Sequence, residues 1–467
     1  MTKNETPSRI DKFLHAASLM ACILLVFMAG AVVTAGEIFP GPQIAQAYQG
    51  GRALYDKLSN YPNVYRTDLW YPQRDSSQGV TVHAPDKARQ GVTLLTSAHE
   101  PAAVLVDMDG NVLHKWHRPF STVWEEGPPA VWTAAARAGA KPQPDPFVYF
   151  RHAYVYPNGD LLALYEGAGD TPYGYGLVKL DRNSKIIWRY PGRAHHQFSV
   201  APDGKIYVLT HEISHEKLDW YGHLKPPRLD DFLVVLSPDG EELHKIHLIK
   251  TFIHSQYRQL GYSVSNFAVA DPLHANAVDY IGADAAARFA FGEEGQVLLS
   301  FREFGGGSIA VLDLETENIV WATKGPWGGQ HDPDILPNGN VLLFDNFGNF
   351  TKPEGQSRVI EFDPRTMQIV WSYAGTPERP LDSPIRSEQQ RLANGNTLIT
   401  ESNLGRVLEV TPEGEIVWEY VNPVRGGEEA DRIPVIGWAL RLDPTTLDPT
   451  LLRPPQPSGP ANTETPT

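Results

Sequence analysis

From Val92 to Trp418 the chain alternates two short apolar patterns. In the first, a β-branched run meets a polar turn, commonly with Gly, and a second run that tends to end in Trp. The copies are AVLVDMDGNVLHKW (103–116), GLVKLDRNSKIIW (176–188), FLVVLSPDGEELH (232–244), IAVLDLETENIVW (309–321), VIEFDPRTMQIVW (359–371) and VLEVTPEGEIVW (407–418). Such runs about a tight turn predict antiparallel hairpins. The second pattern is a single strand, opened in most copies by Asn-Gly or Asp-Gly: VTLLTS (92–97), PNGDLLALYE (157–166), PDGKIYVLTHE (202–212), EEGQVLLSFRE (293–303), PNGNVLLFDN (337–346) and ANGNTLITES (393–402). One inner strand plus an outer hairpin, repeated in this way, predicts an all-β fold, a six-bladed β-propeller. Trp188, Trp321, Trp371 and Trp418 recur at matching hairpin positions, where a large ring is expected to seal one blade against the next.

Ahead of the repeats, FLHAASLMACILLVFMAGAVVTA (13–35) carries no Asp, Glu, Lys or Arg, and such a run is long enough for one N-terminal transmembrane helix. Its apolar core exceeds the roughly 7–15 residues of a cleaved signal, which favours an uncleaved anchor. Lys3, Arg9 and Lys12 precede it, so the N-terminus is expected to stay cytoplasmic and the rest to be exported to the periplasm. The expected division is a cytoplasmic N-terminus (1–12), an anchor (13–35), a stalk and lead-in (36–90) and the propeller (91–425). The Pro- and Thr-rich tail (441–467) reads as disordered.

Charge and cysteine usage narrow the chemistry. With 40 Lys+Arg against 55 Asp+Glu the net charge is -15, which argues against nucleic acid as a partner. The single cysteine, Cys22, lies in the apolar run, so the body has no disulfide, no Cys metal site and no thiol nucleophile. Histidine and arginine remain. His152 in FRHAYVYPNGD, His195 and His196 in AHHQFSVAPDG, and His331 in GGQHDPDILPNG each fall just before a turn that opens an inner strand. His274 in DPLHANAVDYI precedes the strand that carries Arg302, and Arg386 in SPIRS is placed near the same channel. The ends of inner strands gather around a propeller's axis, the natural place for a site. The other histidines read as surface or structural. His211 and His215 have the spacing of a helical metal pair but no third ligand at a convincing spacing, so no metal and no cofactor are expected.

The segment from DPLHANAVDYI through LLSFRE, GGQHDPDILPNGNVLLFDNFGN, SRVIEFD, DSPIRSEQQRLANGNTLITES and GRVLEVTPEGEIVWEYVNP resembles the arylsulfotransferase family of bacterial periplasmic and membrane-anchored propellers. The resemblance extends over roughly residues 90–425. It implies transfer of a sulfuryl group from an aryl sulfate ester to a phenolic acceptor, without a nucleotide donor and through a histidine. It also implies catalytic roles for His274, His331 and Arg302, whereas His196, Arg386 and His152 are expected to bind substrate from their positions near the channel. The family's accepting histidine lies downstream of the QH motif, yet no histidine follows His331 here, and Phe347 to Phe350 stand where an arginine is expected. Either His331 or His274 is then left as nucleophile, or the chemistry differs. The alternatives are a non-catalytic propeller that binds a ligand or protein, and a metal-dependent hydrolase built on Asp332, Asp334 and Asn276.

Overall fold

The computed structural model describes residues 9–36, 38, 41, 63–124, 143–168, 173–266, 268–348 and 357–453. It divides into two units, Met1–Asn63 and Val64–Thr467. The first contains a helix over Arg9–Ala35, of which Phe13–Val33 is long and apolar enough to cross a membrane. Most of the expected stalk lies outside the described residues.

The second unit is a six-bladed β-propeller of antiparallel sheets. Its innermost strands are Val148–Val155, Ala194–Val200, Ala275–Tyr280, His331–Ile335, Glu388–Arg391 and Ile436–Leu442. Each packs on the next, and the last returns to the first, so the ring closes. Moving outward, the second strand of each blade is the one opened by the Gly turn, and the hairpin supplies the outer pair, as in the order Val148–Val155, Leu161–Gly167, Gly174–Leu180, Ile186–Tyr190.

Four expectations change. The Asn-Gly strands are second from the axis, not first. Four of the six innermost strands carry or directly follow the histidines singled out above, in polar sequences such as HDPDI. The ring also does not stop at 425: Ile436–Leu442 pairs with Val92–Ser97 and completes the first blade. Joining the two ends of the chain in one sheet leaves no seam with unpaired strand edges. The tail expected to be disordered from Arg441 therefore begins inside a strand and continues as short turns at Pro444–Thr446 and Pro449–Leu452; its remainder, beyond Arg453, lies outside the described residues. Finally, the lead-in contributes to the body. Gly79–His83 adds a fifth strand to the sixth blade, and Trp70–Pro72 pairs with Arg432–Pro434.

The tryptophans tie blade to blade. Trp188, Trp371 and Trp418 donate their indole N–H to turn carbonyls of the following blade, Pro238 (3.2 Å), Pro412 (2.8 Å) and Met108 (2.9 Å). Trp116 does the same toward Gly159 at 3.1 Å. Trp321 instead stacks on Phe291 with centroids 5.1 Å apart. A buried ring with its one polar atom satisfied adds apolar area without an unpaired donor.

Candidate active site

Five of the six innermost strands lose register at the end that opens toward one face of the ring. The shifts fall between Phe150 and His152, Ala194 and Phe198, Ala275 and Ala277, His331 and Asp334, and Ile436 and Trp438. An extra residue there bends the strand and re-aims side chains. His196 (φ 55°) and Asp332 (φ 53°) take left-handed backbone within these shifts, His274 (φ 47°) directly before one, and Arg386 (φ 64°) just ahead of the sixth strand, which keeps its register. For residues other than glycine this conformation persists only where surrounding contacts enforce it. The bends bring Arg151, His196, His274, His331 and Arg386 to one cavity of about 200 Å³, joined there by Arg302, Tyr149, Tyr173, Glu166 and Asp68.

The three imidazoles do not share one protonation state, because their partners differ. His331 Nδ1 lies 2.8 Å from Asn346 Oδ1 and 3.0 Å from the Gly329 carbonyl. The Asn346 amide nitrogen donates to the Ser383 and Arg386 carbonyls, at 2.7 and 2.9 Å, so its oxygen is the atom that faces the ring. Both partners accept, which puts the proton on Nδ1 and leaves a lone pair on Nε2. Burial, then the charges of Arg302 and Arg151, hold the His331 pKa well below the ordinary value, and the ring is neutral.

His274 is the opposite case. Burial opposes its charge, but the Asp271 carboxylate, 2.6 Å from Nδ1, outweighs burial and raises its pKa. The charged form of the ring is favoured, and its Nε2–H is free of that pairing. His196 is neutral like His331, through burial and then the neighbouring His195 and His274. Its backbone N–H donates to Glu166 Oε1 at 2.7 Å, and its Nδ1 is 2.9 Å from His195 Nδ1. The His196 ring centroid is 5.3 Å from that of His274 and 6.1 Å from that of His331.

The arginines also divide. Arg386 donates to Asp68 Oδ2 (2.7 Å), the Asp68 carbonyl (3.0 Å) and Tyr149 Oη (3.1 Å). Arg151 donates to Glu388 Oε1 at 2.6 Å and to the Gly437 carbonyl. Gly437 occupies the register break of its own strand, and a Cβ there would lie 2.8 Å from Thr96 Oγ1 and 2.9 Å from the Phe150 carbonyl oxygen; only a bare backbone fits. Arg302 has a looser ion pair, 3.7 Å to Glu303, and its guanidinium lies 5.8 Å from the centroid of the Phe347 ring. Phe347 stands where an arginine was expected, so an aromatic face that supports Arg302 replaces a second cation. Of the three guanidiniums, Arg302 is the least committed to carboxylates and the best placed to meet an incoming anion.

Of the residues singled out from sequence, His274, His331, Arg302, His196 and Arg386 line the cavity. His152 does not: its ring is wedged edge-on between Phe198 (4.2 Å) and Trp438 (4.0 Å). The register shift at Phe150/His152 exchanges its position with that of Arg151. Arg151, Tyr149, Glu166, Tyr173 and Asp271 were not anticipated. Asp271 was within reach, as the acidic residue three positions before His274 in DPLH. The alternative acidic set is engaged elsewhere: Asp332 accepts from Gln197 (2.7 Å), Asp334 from Gln389 (3.2 Å), and Asn276 donates to the Gln330 carbonyl (2.7 Å). His211, read as surface or structural, is wholly buried.

A family profile described as Arylsulfotransferase (ASST) matches residues 152–423. Among solved structures, a protein of unknown function from Bacteroides caccae aligns with a TM-score of 0.44 at 12% identity, over 74% of this chain and 99% of that one. A streptogramin B lyase aligns at 0.39 and 13% identity, over 79% and 91%. The virginiamycin B lyase from Staphylococcus aureus aligns at 0.38 and 12%, over 79% and 97%. No curated protein matches the chain.

The His274–Asp271 pair gives a testable pH dependence. His274 has a raised pKa in the folded chain, against about 6.5 when unfolded. Its contribution to stability is therefore complete below pH of about 6.5 and fades as pH rises through the folded value. In Asp271→Asn, where burial and the Arg302 charge are opposed only by the more distant Asp231, the His274 ring titration followed by NMR is expected to fall below about 6.5; an unchanged titration contradicts the assignment.

Proposed function

The chain belongs to the arylsulfotransferase family, and from that premise we propose that its propeller transfers a sulfuryl group from an aryl sulfate ester to a phenolic acceptor with His331 as the nucleophile. The observation that carries this reading is the meeting, in one buried cavity, of a neutral imidazole with a bare Nε2, a protonated imidazole and a lightly paired guanidinium.

Arg302 holds the sulfate oxygens, and the His196 ring lies beside them. His331 Nε2 attacks sulfur and an S–N bond forms as the S–O bond to the aryl group breaks. His274 Nε2–H delivers its proton to the departing aryloxide, which leaves as a phenol. The Nδ1 proton of His331 stays on the ring, shared with Asn346 and Gly329, so the adduct is a sulfonated imidazolium. That group leaves readily in the second half. A phenol then enters, returns a proton to His274, and its oxygen takes the sulfuryl group as the S–N bond breaks. Fixed donors around the oxygens stabilise the charge that builds in both transition states. The participation of neither a nucleotide nor a redox partner is required for this balance.

The kinetics expected are ping-pong. His331→Ala is predicted to lose transfer by about 10⁴-fold or more, and His274→Ala by roughly 10²–10⁴-fold. The His274 loss should be smallest for nitrophenyl sulfate, whose phenolate departs without help, and largest for donors with weakly acidic phenols. Arg302→Ala should cost about 10²–10³-fold. Full activity of His331→Ala with aryl sulfate and phenol sinks the assignment.

We further infer from Lys3, Arg9 and Lys12 that the helix keeps the N-terminus cytoplasmic and the propeller on the periplasmic side. Protease added outside the sealed inner membrane is expected to digest the propeller and spare an N-terminal tag. Protection of the propeller contradicts this orientation.

A further inference from the structure

His195, His211 and Asp231 come from three adjacent strands of one blade, Ala194–Val200, Ile206–Ser214 and Arg228–Leu236, and His211 and Asp231 are direct cross-strand partners. None of them lines the cavity. Their exposures are 0%, 0% and 1%, and one donor atom from each lies within 4.8 Å of the other two. Among the described residues, His195 Nε2, His211 Nδ1 and Asp231 Oδ1 are each buried without a satisfied hydrogen bond, His195 Nε2 and Asp231 Oδ1 facing each other at 3.5 Å. Two imidazoles and a carboxylate whose open donor atoms share one dry volume carry a desolvation cost that a shared cation removes.

We propose that His195, His211 and Asp231 bind one divalent first-row transition ion of the zinc type. Nitrogen-rich ligation of this kind suits zinc and its neighbours, whereas calcium and magnesium take oxygen shells. A tetrahedral ion with bonds of about 2.0–2.1 Å sets its ligand atoms about 3.3–3.5 Å apart. The separation of His195 Nε2 and Asp231 Oδ1, 3.5 Å, already meets that spacing. His211 stacks on His195 with centroids 4.4 Å apart and a 24° tilt. It closes on the ion by turning its ring, at the loss of a long contact, 3.5 Å, from the Gly174 N–H to Nε2. Tyr173 packs edge-on against both rings, at 4.4 Å from His211 and 5.4 Å from His195; its buried hydroxyl has no partner among the described residues and, like a water, is a candidate for the fourth position.

The ion would act on the cavity through two contacts. Ligation at His195 Nε2 puts the His195 proton on Nδ1, which then donates to His196 Nδ1 at 2.9 Å. His196 is thereby fixed as the tautomer that presents Nε2–H, a donor suited to an anion. Asp231 Oδ2 accepts the Ala275 N–H at 2.8 Å, which pins the strand directly after His274. The ion is a positioning element, and its binding does not depend on the sulfuryl chemistry proposed above.

The test uses the full chain in detergent, stripped with a chelator and titrated with Co²⁺, with metal content measured beside visible absorption. One ion per chain with the intense visible bands of four-coordinate cobalt is expected. His211→Ala and Asp231→Asn should weaken binding about tenfold or more, while His215→Ala, at the exposed histidine four residues on, should not. No uptake of Co²⁺ or Zn²⁺ by the wild type, the weak spectrum of six-coordinate cobalt, or uptake indifferent to both ligand variants overturns the site. If the variants fail to fold, the wild-type stoichiometry and spectrum decide alone. A chain that binds the ion but transfers no sulfuryl group leaves this site standing and removes only the proposed reaction.

Discussion

The whole arrangement depends on closing six sheets around one axis. Innermost strands that converge cannot all stay flat: five bulge at one end, and left-handed backbone occurs there at His196 and Asp332, just before the strand at His274, and at Arg386 ahead of the sixth strand. Each such residue costs on the order of 1–3 kcal/mol, and local hydrogen bonds hold it in place. The His196 N–H donates to Glu166 (2.7 Å), the Ser387 N–H to Ser402 Oγ (3.0 Å), and the Ala275 N–H to Asp231 (2.8 Å). The same bends turn side chains that would otherwise alternate across a sheet into a shared cavity. Strain in the backbone and convergence of the site thus have one cause.

Within that cavity, function depends on giving identical side chains different neighbours. Burial pushes His331 and His274 in the same direction; a carboxylate 2.6 Å away reverses the outcome for His274, while the charges of Arg302 and Arg151 reinforce burial at His331 and two carbonyl acceptors fix its tautomer. The arginines obey the same logic. Arg386 is tied to Asp68 of the lead-in and Arg151 to Glu388 of another blade, which leaves Arg302 to meet an anion. A net negative chain can therefore hold a locally cationic pocket.

What was legible in the sequence was local. The hairpins and their tryptophans are short-range patterns, and counting them yields the six blades. Three features were hidden because they are long-range or invert the usual pattern. The Ile436–Leu442 strand pairs across nearly the whole body with Val92–Ser97, and nothing near residue 436 announces that partner. Polar segments such as AHHQFSV are strands because the axis, unlike an apolar core, accepts polar faces. His152 was chosen over Arg151 because strict alternation cannot see a register shift. His274, His331 and Arg302 were found by motif resemblance, and Asp271, which sets the charge on His274, becomes meaningful only once their 2.6 Å contact is known.

The central claim is that His331, in a chain with no later histidine, accepts the sulfuryl group. The most direct measurement is a single turnover with an aryl sulfate donor and no acceptor, quenched in alkali and analysed by peptide mass mapping. The account predicts a mass gain of one SO₃ on the peptide carrying His331, discharged on addition of a phenol. An adduct on His274 or His196, or aryl release with no adduct at all, would contradict it.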